Sequence, residues 1–383
     1  MDEQRFDAAL RALQAGTTRR AGLAGALGVL LGGRAGALAG DAAHPRTDRN
    51  RAQAGTESGT WSYRAKFGTR NVWTPRGDSN FNRPQGVFVS ADGKTAWVAD
   101  TDNNRISIWT RPATSSTSWS YRAKFGTRNV LHPRGDSNFY PPQGVFVSAD
   151  GKTAWVADTN NDRISIWTRP STSSTSWSYS AKFGTKGDGN SNFSKPVGVS
   201  VSADTLTAWV ADSGNNRISI WTRPNNTSRT WSYSNKIGIQ GDGSGSLEFD
   251  TPYDVFVSAD TLSAWVADSG NNRICKWTRD DPTSNNARPD WLPHSEEGGN
   301  YLNGPRGVFV VGATLWIVDS GNNRIAIWTR DIWGYWLYST EFGTKGDGNS
   351  NFSNPSRVFV SADSLTAWVA DTDNHRISIW TQG

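Results

Sequence analysis

One cysteine in 383 residues, Cys275, excludes an internal disulfide framework and any metal site built from several thiolates. Histidine is nearly as scarce: His44, His132, His294 and His375 stand far apart, and no HExxH-type pair exists. Charge of one sign is missing too. Lys and Arg total 40 against 35 Asp and Glu, so the net +5 is thinly spread and gives no basic stripe for a nucleic acid. Long hydrophobic runs are absent; the small apolar stretch 21–33 falls short of the roughly 20 residues a bilayer span needs. The chain is nevertheless no disordered polymer: 36% hydrophobic residues plus 39 glycines give an ordinary globular composition. What it has in excess is tryptophan, 20 copies beside a single methionine.

The N-terminal segment reads as an export signal over residues 1–39. Phe6, Leu10 and Leu13 share one helical face, followed by Thr18-Arg19-Arg20, the apolar run Ala21 to Gly33, and Ala37-Leu38-Ala39 as an A-x-A cleavage site. The paired arginines with Leu23 resemble a twin-arginine signal, although Gly22 and Ala24 depart from it; a general secretory signal is the alternative. Residues 40–60 carry no apolar periodicity and are expected to be a disordered linker.

The remainder, 61–383, is six copies of one pattern. Residues 61–118 and 119–176 differ at only seven positions, and weaker copies continue to the end. The anchor W-V-A-D-x-x-x-x-R-I-x-I-W places Asp at 100, 158, 212, 268, 319 and 371 and Arg at 105, 163, 217, 273, 324 and 376. Each copy holds four short strands rich in β-branched and aromatic residues, broken by tight polar turns such as Asp92-Gly93. Four strands per unit, six times over, predict an all-β, six-bladed propeller. The repeat region opens on a lone fourth strand, 61–67, and ends after a third strand. That N-terminal strand is therefore expected to complete the last blade and close the ring.

These residues resemble the NHL-repeat propellers. Trp209-Val210-Ala211-Asp212-Ser213-Gly214-Asn215-Asn216-Arg217-Ile218-Ser219-Ile220-Trp221 carries the hallmark strand–turn–strand, and Phe183-Gly184, Phe193, Pro196, Gly198 and Val199 carry the lead-in. The resemblance implies a rigid disc whose top face recognises a protein, peptide or glycan. It also implies two rivals: a metal-dependent lyase or hydrolase with its site in the channel, and RNA binding, which the charge balance disfavours.

A group present in all six copies serves every blade, so the repeated Asp and Arg read as structural, as do the eighteen tryptophans at three recurring strand sites. Trp73 and Trp333 lie outside those sites and are the candidates for stacking on a sugar. Function is expected where the sixfold pattern breaks. In P-x-G-V the x position reads Gln85, Gln143, Val197, Tyr253, Arg306 and Ser356; the glycine position reads Gly86, Gly144, Gly198, Asp254, Gly307 and Arg357. Tyr253, Asp254, Arg306 and Arg357 are expected to converge on a polar pocket at the channel mouth, with drift at a tolerant rim the competing reading. Asp188, Asn190 and Asn192, and equally Asp347, Asn349 and Asn351, offer alternating oxygens of the calcium-loop kind but lack the downstream Glu. No cofactor is expected beyond that weak calcium candidacy. Cys275 reads as a buried inert thiol. The expected product is an exported, monomeric, non-catalytic binding module with no nucleic-acid partner and no membrane span.

Overall fold

In a computed structural model the described residues are 59–69, 77–126, 135–240, 248–279, 288–291 and 302–383. The proposed signal, most of the linker, Trp73, His44, His132 and His294 lie outside them. Six four-stranded antiparallel sheets form the blades. Blade 1 comprises Pro84–Val89, Thr95–Asp100, Arg105–Thr110 and Ser120–Phe125, and the next four blades repeat this meander with inner strands Pro142–Val147, Pro196–Val201, Pro252–Val257 and Pro305–Val311. Blade 6 takes Pro355–Val360, Thr366–Asp371 and Arg376–Gln382 from the C-terminal end, and Trp61–Phe67 pairs with its third strand as the outermost. Each inner strand packs on those of the two neighbouring blades, and blade 6 returns to blade 1, so the ring is closed as expected.

The turns follow from the sequence. After the first strand, Ser90 Oγ donates to Asp92 Oδ1 (2.6 Å), the Lys94 amide donates to the same oxygen, and Gly93 takes φ 66°. Blades 3, 4 and 6 put Thr205, Thr261 and Ser364 at that left-handed position instead. Arg223 and Arg279 donate to the Thr205 and Thr261 hydroxyls at 2.6 and 2.8 Å, holding a β-branched residue where one is disfavoured. The second-to-third-strand connection is a single 3-10 turn in blades 1 to 5, closed by a left-handed residue such as Asn104 (φ 54°).

The repeated Asp and Arg are consumed locally. Asp100 Oδ1 accepts the Asn82 amide at 2.8 Å, and Arg105 Nε donates to Oδ2 at 2.7 Å while its Nη2 reaches the Gly77 and Asn80 carbonyls. This ties the turn to the loop leading into the blade, and so places both on one face of the ring.

Tryptophan fills the wedges between blades. Trp97, Trp155, Trp316 and Trp368 are fully buried, each sealing the cluster against the following blade. Across four seams the terminal Phe of one outer strand stacks on the first Trp of the next, as Phe67 on Trp119 and Phe125 on Trp177, both at 4.8 Å. Arginine closes the outer end: the Arg111 guanidinium lies 5.1 Å from Trp119 and 5.6 Å from Trp368, and Arg169 repeats this with Trp177 and Trp97. Cys275 is buried, as expected, and burial pushes its thiol well above the usual range.

Candidate functional site at the channel mouth

The glycine of P-x-G-V marks where an inner strand passes closest to its neighbour. A Cβ at Gly86 would stand 2.5 Å from the Gln143 carbonyl, and one at Gly144 would stand 2.3 Å from that of Val197. Two inner strands carry side chains there nonetheless. Arg357 of blade 6 and Asp254 of blade 4 meet at 3.0 Å (Nη2 to Oδ1), with side-chain exposures of only 8% and 7%. The pair bridges blades 4 and 6 past Gly307 of blade 5, whose added Cβ would lie 3.1 Å from Arg357 Cα. Arg357 Nη1 approaches blade 2, 3.4 Å from where a Gly144 Cβ would sit; Asp254 Oδ1 stands 2.8 Å from the same point on Gly198 in blade 3. The charges therefore occupy the space that the glycines leave open. Asp254 also accepts the Val255 amide at 2.9 Å and the Val308 amide at 3.3 Å. Burial pushes its carboxyl up, and Arg357 pulls it back.

Tyr253 and Arg306, at the x positions of blades 4 and 5, form the second pair. The Arg306 guanidinium lies over the Tyr253 ring at 5.3 Å, and its Nη1 donates to Asn354 Oδ1 at 2.8 Å. Tyr253 donates its hydroxyl to Gln85 Oε1 of blade 1 at 2.8 Å, reaching across the mouth. Burial raises the phenol; Arg306, Arg357 and Arg83 oppose that, and Asp254 adds to it. All four sequence-predicted residues thus gather at one end of the channel, as a buried ion pair beneath a cation–π pair.

Several contributors carry no strong sequence signal. Arg83 sits beside this site, its Nε 3.1 Å from Asp373, and its amide donates to His375 Nδ1 at 3.1 Å across the seam where the ring closes. Below the ion pair, Phe88, Phe146, Phe256, Phe309 and Phe359 line the axis; neighbouring centroids are 5.0–5.2 Å apart wherever two of these blades adjoin. Ser200 takes the sixth place, readable only as V-S-V among five V-F-V segments. On the outer edge of blade 5, Asp331 Oδ1 accepts the Trp333 and Tyr335 amides, fixing a tight turn. Ile332, Trp333 and Tyr335 stand there 91%, 78% and 66% exposed.

The calcium candidates lie in the lead-in loops of blades 3 and 6. Asp188, Asn190, Asp347 and Asn349 are exposed, Asn192 and Asn351 turn their amide nitrogens back onto Thr185 and Thr344, and Lys66 Nζ donates to Asn349 Oδ1. The Asp188 and Asp347 main-chain carbonyls accept from Arg217 and Arg376 at 3.0 and 3.1 Å. Among the described residues the one inner-strand carboxylate, Asp254, faces Arg357.

Residues 193–221, from the lead-in of blade 3 through its third strand, match the NHL repeat model. No curated protein matches the sequence. Among solved structures, the chain is similar to an auxiliary nutrient binding protein from Bacteroides thetaiotaomicron (TM-score 0.56, 11% identity, 84% of this chain and 76% of that one). It is also similar to a putative 6-phosphogluconolactonase from Bacteroides uniformis (0.54, 12%, 86% and 90%). A third is the periplasmic gluconolactonase of Pseudomonas aeruginosa (0.51, 13%, 78% and 81%). At these identities the likeness is one of fold: an NHL-repeat-bearing, six-bladed β-propeller.

Proposed function

We propose that the chain is an exported, non-catalytic binding module that recognises a protein, peptide or glycan on the face bearing the channel mouth. The observation that carries this reading is the mouth itself. The sixfold pattern breaks there into a cation–π pair, Arg306 on Tyr253, over a buried ion pair. Polar side chains from five blades meet there, which suits orientation-specific recognition. The enzyme reading draws on the two lactonases among the similar structures. Against it, the one inner-strand carboxylate among the described residues, Asp254, is held by Arg357 and two amides.

The test is a thermal-shift screen of the purified protein against envelope glycans, peptides and metals, with and without chelator. Saturating ligand at about 100 times Kd adds about 2.7 kcal/mol to native-state stability. The expected hit is a glycan or peptide whose shift disappears in Tyr253→Ala. A hit unchanged in that variant removes the site from the mouth, and turnover of a lactone by the wild type replaces binding with catalysis.

A further inference from the structure

The mouth holds two orphaned polar atoms. Arg357 Nε and Gln143 Oε1 are buried and have no hydrogen-bond partner, and the Arg357 side chain is 92% buried by the 8% exposure above. An unsatisfied buried donor and acceptor are costly, so a group that bonds both is favoured there. Beside them is charge without a counter-ion. Arg306 bonds an amide oxygen and lies on an aromatic ring, and among the described residues no carboxylate pairs with it. Around Tyr253 the charged neighbours are the guanidiniums of Arg306, Arg357 and Arg83 against the one carboxylate of Asp254.

Resting on the binding reading above, we infer that the mouth takes a sugar acid: a carboxylate received by the Arg306 fork and Arg357 Nε–H, with a neighbouring hydroxyl donating to Gln143 Oε1. A planar guanidinium matches a carboxylate in two parallel bonds. Gln143 requires a donor near that carboxylate, which the C4 hydroxyl of a uronic acid supplies and a simple anion does not. A peptide C-terminus also offers a carboxylate with an adjacent donor, but it brings a side chain. Of the six x positions around the mouth only Val197 is apolar. Ser356 is buried with its hydroxyl bonded to the Gln85 carbonyl, and Tyr253 bonds Gln85, so Gln143 and Arg306 are the two left to meet a polyol.

The experiment is calorimetric titration of the full chain with D-galacturonate, D-galactose and N-acetylglycine, each up to about 10 mM, a range that reads millimolar Kd values. Galacturonate is expected to bind while galactose does not. Arg306→Gln and Gln143→Leu should each weaken it about tenfold or more, as loss of one charge-assisted or buried hydrogen bond implies. Arg306→Lys should retain part of the affinity, and unchanged melting midpoints of the variants confirm that they fold. Galactose binding as tightly as galacturonate overturns the carboxylate while leaving the mouth a binding site. N-acetylglycine binding without galacturonate overturns the sugar and makes the ligand a peptide terminus. Silence from all three overturns the inference, whereas the reading it rests on is judged separately by the wider screen and Tyr253→Ala.

Discussion

Restoring glycine at the two odd positions separates a buried ion pair from a tolerant rim. Asp254 and Arg357 are more than nine-tenths buried and meet at 3.0 Å. Removing either one leaves an uncompensated buried charge, which costs about 3–5 kcal/mol. Removing both returns the inner strands to the state of blades 1, 2, 3 and 5, where glycine stands already, so Asp254→Gly/Arg357→Gly is expected within about 1–2 kcal/mol of wild type. The cycle should therefore show a coupling energy of about 2 kcal/mol or more. pH tells the singles apart. Burial already raises the Asp254 carboxyl and Arg357 opposes that rise, so Arg357→Gly lifts it further. A raised folded-state carboxyl adds stability below the unfolded carboxylate range near 4, and that contribution is lost as pH rises through the folded value. The deficit of Arg357→Gly should thus widen from pH 5 to pH 8, while that of Asp254→Gly should not widen, because the stranded guanidinium does not titrate and the raised carboxyl of the wild type is gone. Urea unfolding followed by tryptophan fluorescence at both pH values measures all four proteins. Singles that cost under about 1 kcal/mol and add in the double would refute the strut and leave drift at the rim as the explanation.

Other expectations are as direct. Cys275, with burial and Asp268 both pushing its thiol up, should resist alkylation in the native protein and react as the ring opens in denaturant; prompt native labelling would contradict its burial. Ser364 occupies φ 62° without the arginine that holds its counterparts, Gln382 standing where blades 3 and 4 have Arg223 and Arg279. Ser364→Gly is therefore expected to stabilise by up to about 1 kcal/mol and Thr261→Gly to destabilise, both read by urea midpoint. Trp333→Ser should change stability by no more than about 0.5 kcal/mol, whereas Trp368→Ala should cost about 3–5 kcal/mol. Deleting residues 59–67 should leave blade 6 with an unpaired edge and yield aggregation in light scattering; a monodisperse, fully folded product would show that ring closure is dispensable.

Architecture was the legible part because each of its causes recurs. One Asp–Arg pair or one wedge Trp is ambiguous alone, but the same spacing six times admits only a role that every blade needs, and Asp100 with Arg105 plays it. The mouth was half legible. Asp254 and Arg357 announced themselves by replacing glycine, and Tyr253 and Arg306 stood next to them, but their arrangement into two pairs depends on which blades face each other across the axis. Arg83 and the phenylalanine collar escaped notice for a physical reason: they look ordinary within their own repeat, and only closure of the ring brings Arg83 to His375 and Phe88 to Phe359. The blade 5 tip was marked by Trp333 alone, since its neighbours Ile332 and Tyr335 become conspicuous only once the turn is seen to hold them away from the core.

The two nearly identical copies also say where the ring diverges first. Five of their seven differences fall on described residues: Asn82 against Tyr140, Arg83 against Pro141, Asp102 against Asn160, Asn104 against Asp162, and Ala113 against Ser171. The first four lie in the lead-in loop or the second-to-third-strand turn, which the Asp–Arg pairs hold on the mouth face; only the fifth lies elsewhere. Their consequences are specific. Across the other seams the side chain at the left-handed turn residue accepts an amide of the next blade, as Asp162 does from Lys195 at 2.9 Å and Asn216 from Thr251 at 2.9 Å. Pro141 has no amide to give, and Asn104 Oδ1 is left buried without a partner. Arg83, at the equivalent place in blade 1, keeps its amide for His375 and turns its guanidinium to Asp373 near Tyr253. A duplicated unit that kept its core intact while exchanging charge, ring and hydrogen-bonding capacity on one face has changed what a ligand on that face meets and little of what holds the blades together.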